Sequence, residues 1–380
     1  MGLEPVPPDW PPLSEREVRQ VFARIPGIER PAPRLCWHSP RPFSSAALVS
    51  VGPRELLVKR HSAALRTVAS LEAEHSFARH LAASGMHVPR LLNDGSRSAW
   101  EEGGFVYEVQ EALAGHDLYA TAVSWSPFLS GHHAVSAGAA LARLHLASAG
   151  YREPPRPVEA LHASMNVISS SDPVGTTAAL SENLPGLEAY LSARRWREEL
   201  AGALAPLHEK FLPHAGALGK LWGHNDWHPS NLLWSSVGKG AEVAGVIDFG
   251  LANQTSACYD LATALERSVV GWLAPVAGRP VRRGQVRGIL RGYISERPLG
   301  AGEAAALPHL FPLAHVDYAL SEVDYFSRVV RSPANADLAY EGYLLGHLRW
   351  FSSSAGRRLC SYVADVVAAL LEARSQGPRY

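Results

Sequence analysis

The residues best suited to chemistry fall in one short segment past the middle of the chain. His224, Asp226, His228 and Asn231 lie within eight positions, and Asp248 follows at the end of an apolar run. A carboxylate at a buried strand end is costly unless a cation satisfies it. The amide oxygen of Asn231 and the carboxylate of Asp248 are hard ligands of the kind that Mg²⁺ takes together with phosphate oxygens and water. Asp226 is then left to accept a proton, so the set predicts a metal-holding pair beside a base that orients a hydroxyl nucleophile.

Two other interpretations of this segment remain open. It could be a polar loop with two incidental histidines, or a zinc site built from His224, Asp226 and His228, since zinc accepts both residue types. The zinc interpretation lacks a clear fourth ligand and leaves Asn231 and IDFG (247–250) unexplained. We expect His228 instead to hydrogen-bond within the loop.

The two polar segments resemble those of a known enzyme superfamily. HNDWHPSN (224–231) followed by VIDFG (246–250) is similar to the catalytic and metal-binding segments of the aminoglycoside phosphotransferase and choline/homoserine kinase superfamily, whose pattern is H-G-D-x-H-x-x-N with a later I-D-F/W-x. The resemblance implies a protein-kinase-like fold of two lobes. It also implies a kinase that passes the γ-phosphate of ATP to the hydroxyl of a small molecule.

The same resemblance assigns roles residue by residue. Asp226 would be the catalytic base, Asn231 and Asp248 would be Mg²⁺ ligands, and His224 would support the loop. Asn225 stands where the family usually has glycine. Since Asn tolerates positive φ better than most residues, this departure bears on the conformation of the loop.

Further matches concern the nucleotide. Lys59 ends the LLVK strand, where the family keeps a Lys or Arg on the α- and β-phosphates, and Glu74 in the next helix could pair with it, with Glu72 as a competitor. FVYEVQEALAG (105–115) resembles the strand and hinge that hold adenine through backbone groups near Gln110 to Leu113. YDLATALE (259–266) resembles another family signature, in which Asp260 caps a helix or buttresses the catalytic loop.

The first loop departs from the glycine-rich pattern of protein kinases. No glycine occurs between Gly27 and Gly52. Ser44 and Ser45 are therefore the expected contacts from this loop to the phosphate oxygens.

The hydrophobic periodicity indicates the elements that position these residues. It predicts an α+β fold in which a small antiparallel sheet with one helix precedes a larger, mainly helical lobe. We expect an N-terminal nucleotide-binding lobe over 1–115 and a C-terminal lobe over 116–380. The predicted N-terminal elements are a helix at 14–25, a strand hairpin at 46–51 and 55–60, a helix at 68–84 and a strand at 105–110.

Acidic residues in HVDYALSEVDYFSRVV (315–330) indicate an acceptor site. Asp317 and Asp324 share one helix face, with Glu322 adjacent, and Arg328 is the one basic residue of the segment. A solvated helix face is the competing interpretation. We predict that Asp317, Glu322 and Asp324 contact an amine-bearing acceptor, and that Trp227 lines the same pocket.

Composition excludes several other classes of protein. The chain has 380 residues, 47% of them hydrophobic, and its 36 basic and 36 acidic side chains give no net charge. That balance argues against a dedicated nucleic-acid binder, and no apolar run is long enough for a membrane span. Three scattered cysteines and the lack of a visible targeting segment favour a cytoplasmic protein with no obligate protein partner. A nucleotide-binding pseudokinase and a metal-dependent hydrolase remain the alternatives to a kinase.

Overall fold

The computed structural model describes residues 9–28, 32–41, 43–274 and 278–376. Its strands, in chain order, are β1 Arg34–His38, β2 Ser45–Val51, β3 Arg54–Ser62, β4 Ala99–Glu102, β5 Phe105–Glu111, β6 Lys220–Gly223, β7 Leu232–Trp234, β8 Val243–Val246 and β9 Asn253–Ser256. Its α-helices are α1 Glu15–Phe22, α2 Val68–Ala83, α3 Gly131–Ala147, α4 Pro173–Ser181, α5 Pro185–Ser192, α6 Trp196–Ala215, α7 Ala257–Val269, α8 Arg283–Glu296, α9 Ala301–Leu310, α10 Val316–Asp324, α11 Pro333–Asp337, α12 Gly346–Ser352 and α13 Ser354–Ser375. Short 3₁₀ turns lie at Pro229–Asn231 and Phe311–Leu313, and π-helical stretches at Tyr325–Val330 and Leu338–Leu345.

The N-terminal part is an antiparallel sheet in the order β1-β2-β3-β5-β4. Helix α1 begins at the predicted capping box of Ser14 and Glu17 and buries Val18, Val21 and Phe22 against one face of the sheet. Helix α2 covers the other face, where its side chains meet β4 and β5. The predicted elements of this part are confirmed; β1 and β4 were not predicted.

The helical part is built around close packing of α3 against α8. Gly138 of α3 and Gly292 of α8 make this approach possible, because an added Cβ would lie 2.0 Å from the carbonyl oxygen of Ile289 and 1.9 Å from that of Val135. One hydrophobic core continues from this pair to α13. The α+β prediction is therefore confirmed, whereas the lobe boundary at residue 115 remains a prediction.

Two small antiparallel ladders interrupt the helices and frame the polar segments. β6 pairs with β9, and β7 pairs with β8. The β7–β8 ladder agrees with the two short apolar strands that the sequence indicates around a turn. Among the described residues no helix is long and apolar enough to cross a membrane. The three cysteines are free thiols.

Candidate active site

His224 joins the two polar segments through its two ring nitrogens. The backbone N–H of Asp226 donates to Nδ1 at 3.2 Å, so the proton is on Nε2, which donates to the carbonyl of Ile247 at 2.9 Å. Burial is the main cause that lowers the pKa of His224, which keeps the imidazole neutral. Both nitrogens are occupied, so the zinc interpretation of this segment loses support.

Asp260 anchors the backbone of the catalytic loop. Its fully buried carboxylate accepts the N–H groups of His224 at 2.7 Å and Asn225 at 2.9 Å, and it lies 3.1 Å from Nε2 of His145. The carboxylate is in the first turn of α7, so this helix and the loop are held in one position. The predicted buttressing role of Asp260 is confirmed by these contacts.

Asn225 does more than replace a glycine. Its φ of 59° lies in the left-handed region. Its amide group donates to the carbonyls of Gly223, Leu251 and Asn253, and its oxygen accepts the hydroxyl of Thr255 at 2.8 Å. A glycine could make none of these side-chain bonds, so Asn225 ties the loop to β9 and to the segment before it.

The β7–β8 ladder brings Asn231 and Asp248 to the same end of a hairpin. The N–H of Ile247 donates to the carbonyl of Asn231 at 3.0 Å, next to the pairing of Leu232 with Val246. The Asn231 amide donates to the backbone carbonyl of Asp226 and to its Oδ2, at 2.9 and 3.1 Å. Its donors are thus committed, which leaves the amide oxygen as the group that can bind a cation.

Asp248 lies opposite Lys59. Its φ of 63° is left-handed, and its side chain is 51% exposed beside the Lys59 ammonium, with Nζ and Oδ1 3.4 Å apart. Lys59 is the main cause that lowers the pKa of Asp248. Burial alone would lower the pKa of Lys59, but the carboxylates of Asp248, Glu108 and Glu74 outweigh it and raise that pKa.

Glu108 is a member of the site that sequence reasoning missed. It pairs with Lys59 across the β3–β5 ladder, and its Oε1 is 3.8 Å from Nζ. His61 and His75 hold the other contacts of this carboxylate. An acidic residue inside the buried run FVYEVQ was the available signal, because such a carboxylate needs a cationic partner.

Glu74 does not form the predicted ion pair with Lys59. Its closest cationic partner is Arg156, with NH1 and Oε2 3.9 Å apart. Glu74 still lines the same cavity as Lys59, Glu108 and Asp248. Its expected competitor, Glu72, instead accepts the N–H groups that open β4.

The predicted nucleotide contacts separate into two groups. Gln110 lines the cavity beside Lys59, and Leu113 packs on Gly245, where a Cβ would lie 2.4 Å from Leu113 Cδ2. Among the described residues no partner is found for the Leu113 N–H, and its contact with adenine stays a prediction. Ser44 lies in the bend directly before β2, whose residue Ala46 is the ladder partner of Lys59, so its phosphate contact stays a prediction.

The prediction for Ser45 is corrected by the same alternation. Ser45 is the ladder partner of Arg60 and faces the opposite side of the sheet. Its hydroxyl donates to the carbonyl of Pro11 at 2.7 Å and accepts from Arg60 at 3.0 Å. The side chain binds within the N-terminal part and does not point at the cleft.

Arg267 is a second residue that the sequence did not reveal. It forms an ion pair with Oδ1 of Asp226, while Oδ2 accepts the Asn231 amide. The guanidinium is buried between the rings of Trp125 and Tyr318, 5.2 and 5.1 Å from their centroids. Arg267 follows directly after YDLATALE, and only the position of α7 reveals that it reaches the catalytic loop.

The carboxylates of Asp317 and Asp324 bind groups of the fold itself, which does not support their predicted role as acceptor contacts. Asp317 accepts the hydroxyl of Ser164 at 2.6 Å and the N–H of Val167 at 3.0 Å. Asp324 accepts the N–H of Gly186 at 2.7 Å at the start of α5, and it pairs with Arg328. Asp324 satisfies a donor in the first turn of α5 and Asp317 satisfies donors of the turn at 166–169, so both carboxylates have a structural role.

Glu322 behaves differently from these two aspartates. It is 2% exposed, and no hydrogen bond or ion pair to its carboxylate is found within the described ranges. Burial raises its pKa to about 7, with Arg267 acting in the opposite direction. Trp227 is also buried, edge-on to His224, and its indole N–H has no partner among the described residues. Arg267 forms its ion pair with Asp226 and acts on Glu322 only through space.

Comparison with known proteins identifies the family. The model of the phosphotransferase enzyme family matches residues 43–301. The chain belongs to this family. A homoserine kinase of Rhodopseudomonas palustris is 29% identical over 233 residues, which cover 61% of this chain and 61% of the relative. The chain thus spans about three fifths of the length of this curated relative.

Solved structures confirm the protein-kinase-like fold of this phosphotransferase family member. A microcompartment-associated aminopropanol kinase matches with a TM-score of 0.59 at 18% identity, over 93% of this chain and 100% of the other. Spectinomycin phosphotransferase, solved with ADP and spectinomycin, matches with a TM-score of 0.52 at 12% identity, over 95% and 99%. The resemblance inferred from HNDWHPSN and VIDFG is confirmed.

Proposed function

We propose that this family member is an ATP- and Mg²⁺-dependent kinase that transfers the γ-phosphate to a hydroxyl of a small molecule. The observation that carries the proposal is the linked set of Asp226, Asn231, Asp248 and Lys59, joined through His224. In this set the Asp226 carboxylate lies beside the Asn231 amide, and the Asp248 carboxylate lies beside the Lys59 ammonium. The hydrogen bonds of His224 to the backbone hold the two segments together. Phosphoryl transfer needs this division between a group that orients the hydroxyl and groups that hold phosphates and cation.

The residues of the site fit a magnesium ion. Asn231 has its amide hydrogens committed and its oxygen available, and Asp248 offers a half-exposed carboxylate. Both are oxygen donors of the type that Mg²⁺ takes, with few ligands from the protein. When bound, the ion would neutralise charge that develops on the phosphate oxygens.

The side chains of the chain itself then have distinct tasks. Lys59 would bind phosphate oxygens, since its ammonium stays protonated beside Asp248 and Glu108. Asp226 would orient the acceptor hydroxyl and accept its proton, and Arg267 would hold the orientation of that carboxylate. Gln110 and Leu113 would position the adenine, and Ser44 would contact phosphate.

The acceptor is proposed to carry an amine. Glu322 supports this, because a buried carboxyl group without a hydrogen-bond partner in the described residues can bind an ammonium group. A homoserine kinase and an aminopropanol kinase among the proteins similar to this chain are consistent with such an acceptor. We further propose that the protein is located in the cytoplasm.

An acceptor panel tests the proposal. Purified protein with MgATP is incubated with amino alcohols, amino sugars, hydroxy amino acids and antibiotics, and phosphorylated product is detected by mass. We expect one class to be phosphorylated, and Asp226→Asn to lower kcat by about 10²–10⁴-fold with unchanged circular dichroism and ATP binding. Turnover by Asp226→Asn at the wild-type rate would contradict the role of Asp226.

A pseudokinase is the second candidate, and the ion pair between Arg267 and Asp226 favours it. That pair occupies a carboxylate oxygen which a catalytic base needs. In this case Mg²⁺-dependent ATP binding would persist, and Asp248→Asn would weaken it, while no member of the panel would be phosphorylated.

A further inference from the structure

A buried cluster of side chains that could bind a metal includes Glu266, the residue directly before Arg267. Glu266 in the last turn of α7, His315 just before α10 and His347 in α12 each offer one donor atom, and these atoms lie within 4.8 Å of one another. Donor atoms on one tetrahedral ion at about 2.0–2.2 Å lie about 3.3–3.6 Å apart. The widest pair of the cluster would therefore have to close by at most about 1.5 Å to bring all three onto one ion.

The hydrogen bonds of the two imidazoles prepare them for this role. His315 Nε2 lies 3.1 Å from the carbonyl of Leu344, which fixes the proton there and turns the lone pair of Nδ1 inwards. Nδ1 is buried and has no partner in the part of the chain that the structure describes. A histidine that binds metal through one nitrogen commonly donates its other N–H to a backbone carbonyl in this way.

The orientation of His347 is fixed by packing. Its ring stacks on Trp272 with centroids 3.5 Å apart, and its Nδ1 is 2.7 Å from Oε1 of Glu266. Tyr343 packs against both imidazoles, with centroids 4.8 Å from His347 and 5.3 Å from His315. Packing therefore fixes the orientation of both imidazole rings, and the hydrogen bond from His347 fixes that of the Glu266 carboxyl group.

The donor types of the cluster also match a divalent cation. The neighbouring Arg267 is engaged with Asp226. Glu266 is 1% exposed, and within the described residues its carboxylate has no Lys or Arg partner. Two imidazoles and one carboxyl group form a ligand set that suits zinc and related ions.

We propose that Glu266, His315 and His347 bind one divalent transition-metal ion of the zinc class. The ion fastens α7 to the segment before α10 and to α12. Arg267 follows Glu266 directly, so the ion also fixes the residue that holds Asp226. This site is independent of the Mg²⁺ proposed at Asn231 and Asp248, and the inference does not depend on phosphoryl transfer.

Metal content and cobalt spectroscopy test the site on the full-length protein without nucleotide. Protein purified without chelator should contain about one equivalent of zinc by mass spectrometry of the metal. After the metal is removed, added Co²⁺ should give visible d–d bands, and added Zn²⁺ should raise Tm by at least about 3 °C. Absence of metal, bands and Tm shift would mean a hydrogen-bonded acid–imidazole pair only and would overturn the proposal.

Matched variants locate the ion. His315→Leu should abolish the Co²⁺ bands and the Tm shift, whereas His162→Leu should keep both. His162 is an equally buried histidine with one nitrogen on a backbone carbonyl and the other without a partner in the described residues. If His315→Leu fails to fold, X-ray absorption of the wild-type protein locates the ion instead. We expect its spectrum to show two imidazoles and one carboxylate as ligands.

The surface pair of His214 and His309, stacked 5.3 Å apart, is the obvious place for adventitious metal. His309→Leu should therefore leave the metal content at one equivalent. Loss of the ion in His309→Leu with retention in His315→Leu would overturn the proposal. Asp248→Asn should change neither the metal content nor the Co²⁺ bands.

Discussion

At the scale of single residues, the ion pair between Arg267 and Asp226 sets the geometry of the proposed base. The Arg267 guanidinium is 3% exposed and lies between two aromatic rings. We predict that Arg267→Lys lowers kcat by at least about tenfold, because a lysine keeps the charge but not the planar fork that fixes the carboxylate. The KM for ATP should stay within about twofold, since the nucleotide contacts lie elsewhere. Steady-state kinetics with the acceptor found in the panel measures both constants.

Arg194 provides the matched control for this substitution. It also stacks on a ring, that of Tyr190 at 3.6 Å, and also forms an ion pair, with Asp337. It belongs to no part of the proposed site, so Arg194→Lys should leave kcat unchanged. Equal kinetic effects of the two variants would show that Arg267 acts only through stability.

At the scale of elements, α7 connects the catalytic loop to the helical core. We predict that Asp260→Ala lowers the free energy of unfolding by about 3–5 kcal/mol, because it leaves two buried N–H groups and a buried histidine without their shared acceptor. It should also lower kcat, since His224 and Asn225 lose the contact that fixes their backbone. Asp172→Ala removes the N-cap of α4 far from the loop and should cost about 1 kcal/mol without loss of activity. Chemical denaturation and kinetics of both variants check this, and an unchanged kcat in a folded Asp260→Ala protein would contradict it.

The elements were predictable from sequence wherever local chemistry determines them. The capping box at Ser14 and the turn at Gly52 located α1 and the β2–β3 hairpin. The strand β1, in a proline-rich stretch, and the four-residue β4 owe their pairing to neighbours that are distant in sequence, which a periodicity argument cannot supply.

The acidic face of α10 illustrates the same limit for the site. Helical spacing placed Asp317 and Asp324 on one face, but it could not show that the turn at 166–169 and the start of α5 pack there and bind these carboxylates. The catalytic loop was predictable because its residues are adjacent in sequence. Glu108 and Arg267 were missed because only the β3–β5 register and the packing of α7 bring them to the site.

At the scale of the whole molecule, the close contact between α3 and α8 holds the helical part together. We predict that Gly138→Ala lowers the free energy of unfolding by about 1–3 kcal/mol, because the new methyl group would meet the backbone of Ile289 and push the helices apart. Gly202 lies inside α6 with nothing within 4 Å of an added Cβ. Gly202→Ala should therefore stabilise the protein by up to about 1 kcal/mol, through helix propensity alone. Thermal and chemical denaturation should give shifts of opposite sign, and shifts of the same sign would refute the packing argument.

The buried carboxyl group of Glu322 makes the stability of the whole protein depend on pH. Burial raises its pKa from 4.5 to about 7, so the folded chain keeps a proton that the unfolded chain releases between these values. The unfolded state then binds fewer protons, and the free energy of unfolding falls as the pH rises through this window. Glu322→Gln removes this dependence, so its stability relative to wild type should grow by up to about 3 kcal/mol between about pH 5 and about pH 8. Urea denaturation at both pH values measures the difference.

Asp317→Asn is the control for this pH experiment. Burial also raises the pKa of Asp317, to about 6, but its carboxylate accepts several backbone N–H groups. The asparagine has one acceptor oxygen in place of two, so this variant should be less stable than wild type at both pH values. Glu322→Gln, by contrast, should gain stability at high pH while losing affinity for an amine-bearing acceptor. Such an exchange is expected where a protein keeps a destabilising charge for function. A Glu322→Gln protein that is no more stable than wild type at high pH would show that this carboxyl group is already satisfied in the folded chain.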